Sequence, residues 1–339
     1  MNTQARCLAV IGAGHLGTYH AQKLRQLEPE RPLLIYDTLV EKAEALAQVV
    51  SGRVSASLAE VLAASEAVVV ATPTETHHEI GMQALEAGCH LMVEKPMTQT
   101  VEQGRELVAQ AKQRQLTLQV GHVERFNPLF RAVRDRIGVP AFVAAERLAP
   151  FVPRSLDIDV VLDLMVHDLD ILLSLVEADL ERLDAVGVSV LTPWVDIANV
   201  HLRFVGGTVA NLTASRVSQD RVRKIRFFGP SGYFSLDLGA RTGRRVHVAA
   251  SPEGAIEVPG TGRFDVRQEP LDAPSEDALA EEARSFLQAV KDGTPPAVSG
   301  EEALRVLEMA DRIRAEVLRS LAELAPRNDL PTGPAVHQS

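Results

Sequence analysis

Cys7-Leu8-Ala9-Val10-Ile11-Gly12-Ala13-Gly14-His15-Leu16-Gly17 decides the fold. Five apolar residues read as a buried strand, and a G-x-G-x-x-G turn follows and opens a helix. Gly12 permits the tight turn. Gly14 lets the backbone approach a pyrophosphate. Gly17 lets the helix pack closely on the strand, with its N-terminus facing the phosphates. His15 and Leu16 stand inside the motif and count with the cofactor contacts. A second apolar run, Leu33–Tyr36, ends on Asp37, 20 residues past Gly17, the spacing of a ribose-hydroxyl acceptor. A carboxylate there repels a 2′-phosphate, and Thr38 follows with no adjacent arginine, so NAD is expected over NADP. The bland alternative is a glycine turn beside a solvated Asp37.

Outward from this motif, short apolar runs alternate with helical patterns. Leu33–Tyr36, Ala67–Ala71, Cys89–Val93 and Leu116–Val120 read as strands, and Gly52–Ser55 as a weaker one. His15–Leu27, Val40–Val49, Glu75–Ala87 and Val101–Arg114 read as helices. Buried strands alternating with helices mean a parallel α/β sheet. After about His122 the texture changes. A helix is expected over Asn127–Ile137. Then Ala198, Val200, Leu202 and Phe204 alternate with Asn199, His201 and Arg203, and Val209–Arg216, Arg223–Phe228, Tyr233–Leu238 and Arg245–Ala250 continue in that style. These predict a large, mostly antiparallel open sheet, one face solvated or paired to another subunit. An apolar helix at about Leu164–Val176 interrupts it, and amphipathic helices near Asp277–Val290 and Glu301–Leu321 close it. The fold class is α/β. A Rossmann dinucleotide-binding domain is expected over 1–122, an α/β substrate and oligomerisation domain over 123–322, and a disordered tail over 323–339.

Composition narrows the class. With 339 residues the chain has room for two cores, and 46% hydrophobic with 24% charged residues is ordinary for a soluble globular protein. A net charge of −10 argues against nucleic acid and gives no attraction to anionic membranes. No apolar run nears the roughly 18–20 residues that span a bilayer. Met1–Arg6 is short and polar and leads straight into a strand, which does not fit a signal peptide. Cys7 and Cys89 form neither a disulfide framework nor a metal spacing, and both read as buried thiols. A reducing cytoplasm is expected.

Glu94-Lys95-Pro96 places a lysine at the carboxyl end of a strand, where open parallel sheets bind ligands. Only six of the 35 Lys+Arg residues are lysine. The proline behind Lys95 fixes φ and removes a donor. Thr72-Pro73-Thr74 ends another strand, with His77 and His78 in the next helix. This loop lies under the ribose–nicotinamide side, or else Thr72 and Thr74 cap the helix. On the apolar helix Asp163, His167, Asp170 and Ser174 share one face. A histidine between carboxylates in a dry site is a sensible general base. A structural His–Asp network or metal ligation by Asp163, His167 and Asp170 are the alternatives, and no metal is assigned. Asp168 points off that face and reads as a cap or surface residue.

Together these residues resemble the Gfo/Idh/MocA family of oxidoreductases. The resemblance rests on Gly12–Gly17, Thr72-Pro73, Glu94-Lys95-Pro96, Arg125-Phe126-Asn127-Pro128 and the Asp163…His167…Asp170 spacing. It implies oxidation or reduction of a sugar-like secondary alcohol with NAD(P). Lys95, Asp163 and His167 take the catalytic roles and Glu94 lies beside the nicotinamide. Thr72, Pro73 and His77 join the cofactor contacts. The open sheet is expected to form a homodimer or homotetramer. Many members carry Gly-Gly before the histidine motif, where this chain has Arg154–Leu162. That departure, with Gly121–Pro128, is similar to a branch acting on C3 of UDP-N-acetyl-hexosamines at the start of 3-amino-sugar synthesis for lipid A. A free polyol or sugar dehydrogenase and a non-catalytic NAD-sensing regulator are the rivals, and retention of Lys95 and His167 favours an enzyme. The reaction expected is reversible hydride transfer. His167 accepts the hydroxyl proton, Asp163 holds the imidazole and Lys95 hydrogen-bonds the alkoxide, although Lys95 itself could be the acceptor. Arg125, Arg147, Arg154 and Arg216 are candidate diphosphate ligands or else salt-bridge partners. Asn127 binds a sugar hydroxyl or caps a helix. Asp170 counts with the substrate contacts.

Overall fold

The computed structural model describes residues 6–152, 158–249, 256–258 and 262–324. The first sheet is wholly parallel, in the order β3 (Arg53–Val54), β2 (Leu33–Tyr36), β1 (Cys7–Ile11), β4 (Ser65–Val70), β5 (His90–Glu94), β6 (Leu118–Gly121). This is the doubly wound order, and its switch point lies between β1 and β4, so the ligand crevice opens at their carboxyl ends. Helices α1 (His15–Leu27), α2 (Val40–Val50), α3 (Leu58–Ala64), α4 (His77–Glu86) and α5 (Val101–Arg114) make the crossovers. Helix α3 is not expected from sequence. It is a short helix capped by Ser57, whose side chain accepts from the Glu60 amide. β5 extends one residue further than expected, so Glu94 is its last residue and Lys95 leaves the sheet.

Among the described residues the second sheet has nine strands. From one edge they run β14 (Ile256–Val258), β15 (Gly262–Asp272), β13 (Thr242–Ala249), β12 (Gly232–Asp237), β11 (Val222–Gly229), β7 (Phe142–Leu148), β10 (Val209–Ser215), β9 (Ile197–Phe204) and β8 (Leu180–Val188). Among the described residues of this sheet only β7 and β10 pair in parallel, and the other pairings are antiparallel. The period-two reading holds. Ala198, Val200, Leu202 and Phe204 are buried with Ile225, Phe227 and Phe234 against α6 (Pro128–Ile137), α7 (Val166–Leu173) and α9 (Gly300–Leu324). Asn199, Arg203 and Lys224 are exposed on the other face.

The apolar helix expected from Leu164 begins earlier, with a π-helical turn at Val161–Met165 that runs into α7. Helix α8 (Ala278–Asp292) returns to the first sheet, where Ala283 and Phe286 join its core. α9 serves both cores, Ala303 in the first and Val306, Ala310 and Ile313 in the second. Among the described residues no helix is long and apolar enough to cross a membrane. The expected tail lies outside the described residues from 325 onward, and α9 takes in 323 and 324.

Candidate active site

The glycine turn has the geometry that its motif requires. Gly12 adopts φ +98°, and a Cβ there would stand 2.5 Å from the Ala71 carbonyl oxygen. A Cβ on Gly17 would stand 1.8 Å from the Gly12 oxygen, so strand and helix meet only through glycine. A Cβ on Gly14 would meet nothing within 4 Å, and this is the open side of the turn. The N-terminus of α1 has no side-chain cap and no acidic residue in its first turn, leaving its amides to an anion. Asp37 Oδ2 accepts from the Ala13 amide at 2.7 Å and Oδ1 from Leu39 at 2.8 Å. The carboxylate thus braces the turn and keeps further lone pairs for a ribose hydroxyl. These residues fit a dinucleotide. His15 and Leu16 are exposed on the first turn of α1, with the His15 ring edge-on to Tyr19 at 4.9 Å.

Thr72-Pro73 lies against that turn, the Thr72 methyl being 3.0 Å from where a Gly12 Cβ would sit. Neither Thr72 nor Thr74 caps the helix, and the Thr76 hydroxyl donates to Thr72 Oγ1 instead. His77 corrects an expectation. It is buried, with Nε2 2.9 Å from the Thr72 carbonyl oxygen and Nδ1 3.0 Å from the Pro96 carbonyl oxygen. It therefore clips one ligand-side loop to the other and presents no atom to a cofactor. Burial pushes its pKa down against those two carbonyls. His78 pairs with Glu106 at 2.7 Å.

Glu94 is buried beneath Lys95. Its Oε1 accepts from His20 Nε2 of α1 at 2.6 Å, and its Oε2 accepts from the Lys95 amide at 3.1 Å. Gly121 must be glycine, since a Cβ would stand 2.9 Å from Glu94 Oε2. Burial raises the Glu94 carboxyl, but the His20 hydrogen bond and the charges of His20 and Lys95 outweigh it and hold it below the usual range. Both carboxylate oxygens are thus engaged within the protein, and Glu94 positions the Lys95 backbone. His20 goes unnoticed in the sequence because it sits mid-helix, on the inner face of α1. The Lys95–Pro96 peptide is cis.

Lys95 reaches across to the second domain. Its Nζ donates to the Asp163 carbonyl oxygen at 2.7 Å and stands 3.3 Å from Asp163 Oδ1. The expected His167–Asp163 contact is therefore corrected, because Asp163 holds the lysine. The imidazole makes no hydrogen bond within the described residues. His167 Nδ1 is buried and unpartnered, while Nε2 is not among the buried unpartnered atoms. Burial, then the positive charges of Lys95, Arg147, His122 and Arg223, drive the His167 pKa well below its ordinary value. These surroundings favour the uncharged imidazole, whose ring nitrogen keeps a lone pair for a proton. The sequence suggested the opposite influence, from flanking carboxylates.

Those carboxylates are committed elsewhere. Asp170 is fully buried and forks onto Arg125, Nη2–Oδ1 2.7 Å and Nε–Oδ2 3.0 Å, while Arg125 Nη1 also reaches Glu302 at 3.0 Å. Arg125 and Asp170 are accordingly a structural pair and not substrate contacts. Asp168 is no surface residue. It is buried and forks onto Arg147 at 2.9 Å through both oxygens, and Arg147 also donates to Glu124 at 3.0 Å. Arg216 is buried against Asp196 at 2.9 Å. Asn127 caps α6 through the Leu129 amide and donates to Glu124 and to the Leu238 carbonyl oxygen, which removes it as a sugar contact. Arg154 lies outside the described residues.

Within reach of the charges of Glu94 and Asp170 is a second polar group that sequence gave no reason to suspect. Glu282 of α8 is fully buried, with neither oxygen partnered. Its backbone oxygen accepts from Gln119 Nε2 at 2.9 Å. Burial, then the charges of Glu94 and Asp170, raise its carboxyl well above 4.5. A carboxyl raised in the folded state contributes stability that is fully present below the unfolded pKa and is lost as pH rises toward the folded one. Glu282→Gln should therefore gain stability over the native chain progressively above about pH 4.5, by ~1.4 kcal/mol per pH unit until the folded pKa is reached. Melting temperatures of the two proteins at about pH 4.5, 6 and 8 check this, and a pH-independent difference would count against it.

Among the described residues no group of three or more His, Cys, Asp or Glu is placed to hold a metal ion. Fold and site define a dinucleotide-dependent oxidoreductase, with Lys95 at the carboxyl edge of a nucleotide-binding sheet and His167 on α7 of the second domain. The chain belongs to the Gfo/Idh/MocA family. Residues 7–122 match the oxidoreductase family with NAD-binding Rossmann fold, and residues 136–235 match the GFO/IDH/MocA C-terminal domain. It is 40% identical over 309 residues to UDP-N-acetylglucosamine 3-dehydrogenase of Acidithiobacillus ferrooxidans, covering 91% of this chain and 96% of the relative. A solved structure of that enzyme superposes with TM-score 0.84 at 38% identity, over 93% of this chain and 99% of the other. A more distant relative is scyllo-inositol 2-dehydrogenase (NAD(+)) of Bacillus subtilis, 29% identical over 331 residues, 91% of this chain and 93% of that one.

Proposed function

We propose that this chain is an NAD-dependent dehydrogenase oxidising the C3 hydroxyl of a UDP-N-acetyl-hexosamine to the ketone. The observation that carries the chemistry is the Lys95–Asp163 contact, with the His167 imidazole four residues along the same helical stretch left without a hydrogen bond at its buried Nδ1. The substrate class follows the relative, which this chain matches over nearly its whole length. Bound on the glycine turn, NAD would take the hydride from the carbinol carbon. His167 receives the hydroxyl proton at Nε2. Lys95 donates from Nζ to the oxygen as it becomes an alkoxide, and preorganised donors of this kind act most strongly where water is excluded. Asp163 holds that donor in place, and the His20–Glu94 pair holds its backbone.

Asp37 and the absence of an adjacent cation support NAD over NADP. The open outer face of the second sheet, with Val186, Val188 and Phe228 exposed among polar residues, supports pairing with a second copy, which sedimentation tests. The buried free thiols of Cys7 and Cys89 fit a reducing compartment. A panel of UDP-sugars and polyols with NAD and NADP, followed by absorbance of the reduced nicotinamide, tests the whole reading. Turnover of UDP-N-acetylglucosamine with NAD is the expected outcome. Turnover of inositol alone would move the substrate, and preference for NADP would overturn the cofactor assignment.

A further inference from the structure

The buried arginines leave a question that the sequence did not raise: what receives the substrate's diphosphate. Arg125, Arg147 and Arg216 are each closed off by carboxylates. Arg223 differs from all three. It stands in β11 directly opposite Arg147 in the β7–β11 register. Its side chain projects to the same face as Ile225 and Phe227, the face that the helices cover. Yet 45% of its side chain is exposed, because it lies at the open end of that face. Among the described residues its ion-pair partner is Glu124, at 3.6 Å, beyond hydrogen-bond reach, and its charge is also felt by Asp168. Glu124 is already engaged by Arg147 at 3.0 Å and by Asn127 at 3.1 Å. The five guanidinium donors of Arg223 make no hydrogen bond within the described residues, although the charge is close enough to help depress His167. An arginine fork matches phosphate oxygens, and a rigid strand holds it in place.

We propose that Arg223 binds the diphosphate of a nucleotide-sugar substrate and so sets the preference for sugar nucleotides over free sugars. The inference rests on the nucleotide-sugar reading above. The site lies in the second domain, apart from the glycine turn that takes the cofactor's own pyrophosphate. Glu124 and the Arg147–Asp168 pair form its backing, and the 3.6 Å approach of Arg223 Nη1 to Glu124 leaves the guanidinium donors without a hydrogen bond within the described residues.

The test compares the native chain with Arg223→Ala and Arg223→Lys. Three quantities are read: KM and kcat for UDP-N-acetylglucosamine, the dissociation constant of UDP by calorimetry, and the acid limb of the pH–rate profile. Arg223→Ala is expected to raise KM and weaken UDP binding by ~10–100-fold, while kcat changes less than about threefold. Arg223→Lys, a point charge without the fork, should restore only part of the loss. Turnover of free N-acetylglucosamine, where measurable, should be unaffected. UDP affinity unchanged in Arg223→Ala would overturn the proposal, as would a shift in the pH profile alone, which would mark Arg223 as only an electrostatic neighbour of His167. A native chain that turns over inositol and no sugar nucleotide would defeat the substrate reading instead. The UDP titration would then still decide whether Arg223 binds diphosphate.

Discussion

Lys95→Met should lower kcat for UDP-N-acetylglucosamine oxidation by roughly 10²–10⁴-fold and leave NADH binding within a few-fold of native. Methionine keeps most of the stem and removes the charge and its three donors. The donors matter most when the substrate oxygen is an alkoxide, so the loss falls on kcat and less on KM. Only 16% of the side chain is exposed and Nζ is already fixed by Asp163, so the native enzyme has little reorganisation to make at the moment of reaction. The same substitution carries a pH signature. Lys95 comes next after burial among the causes that depress His167. Without it the imidazole protonates more readily, its pKa rises, and the acid limb of the residual activity moves to higher pH. A residual rate with an unmoved acid limb would mean that His167 is not the titrating base. Undiminished turnover in Lys95→Met together with His167→Ala would remove both residues from the reaction.

The sequence made the first sheet legible because a parallel sheet buried on both faces writes each strand as an apolar run, and each glycine of the turn has a steric reason to be there. In the second sheet, strands with one exposed face were equally plain in Ala198–Phe204. β7 was not foreseen, because Phe142-Val143-Ala144-Ala145-Glu146-Arg147-Leu148 is rich in residues of low strand propensity, and β8 lies at a sheet edge where the charged residues Glu181, Arg182 and Asp184 interrupt the alternation. Lys95 was legible from local geometry, a strand end followed by proline. The fate of the charged residues was not. Arg125, Arg147 and Arg216 meet Asp170, Asp168 and Asp196 at separations of 45, 21 and 20 residues. Nothing in local spacing separates such a buried fork from a solvated arginine. Arg223 drew no notice for the converse reason: only the burial of the other three makes its exposure informative. On the helix, alternation told which residues were polar, but not that Asp163 turns to the lysine while Asp170 turns inward to Arg125.

Asp170→Asn should cost about 3–5 kcal/mol of folding stability, because it leaves the Arg125 guanidinium buried with its fork half unmade. One carboxylate oxygen becomes an amide that points donors at a donor, and Glu302 alone cannot take both arms of the guanidinium. Arg125 ties three places together: the turn before α6, the Asp170 carboxylate of α7, and Glu302 near the start of α9. In urea the midpoint should fall with little change of slope, as for a loss of stability without loss of cooperativity. The double substitution Arg125→Met with Asp170→Leu should recover most of that loss, since an apolar pair of similar volume needs no desolvation of charge. The single variant Arg125→Met separates the two views of this residue. If Arg125 bound phosphate, its loss would raise KM for a sugar nucleotide and leave the unfolding midpoint near native. The buried fork predicts the reverse: a large drop in midpoint from the stranded Asp170 carboxylate, with KM near native in whatever fraction remains folded. A rise in KM at unchanged stability would return Arg125 to the substrate and remove the reason to look to Arg223.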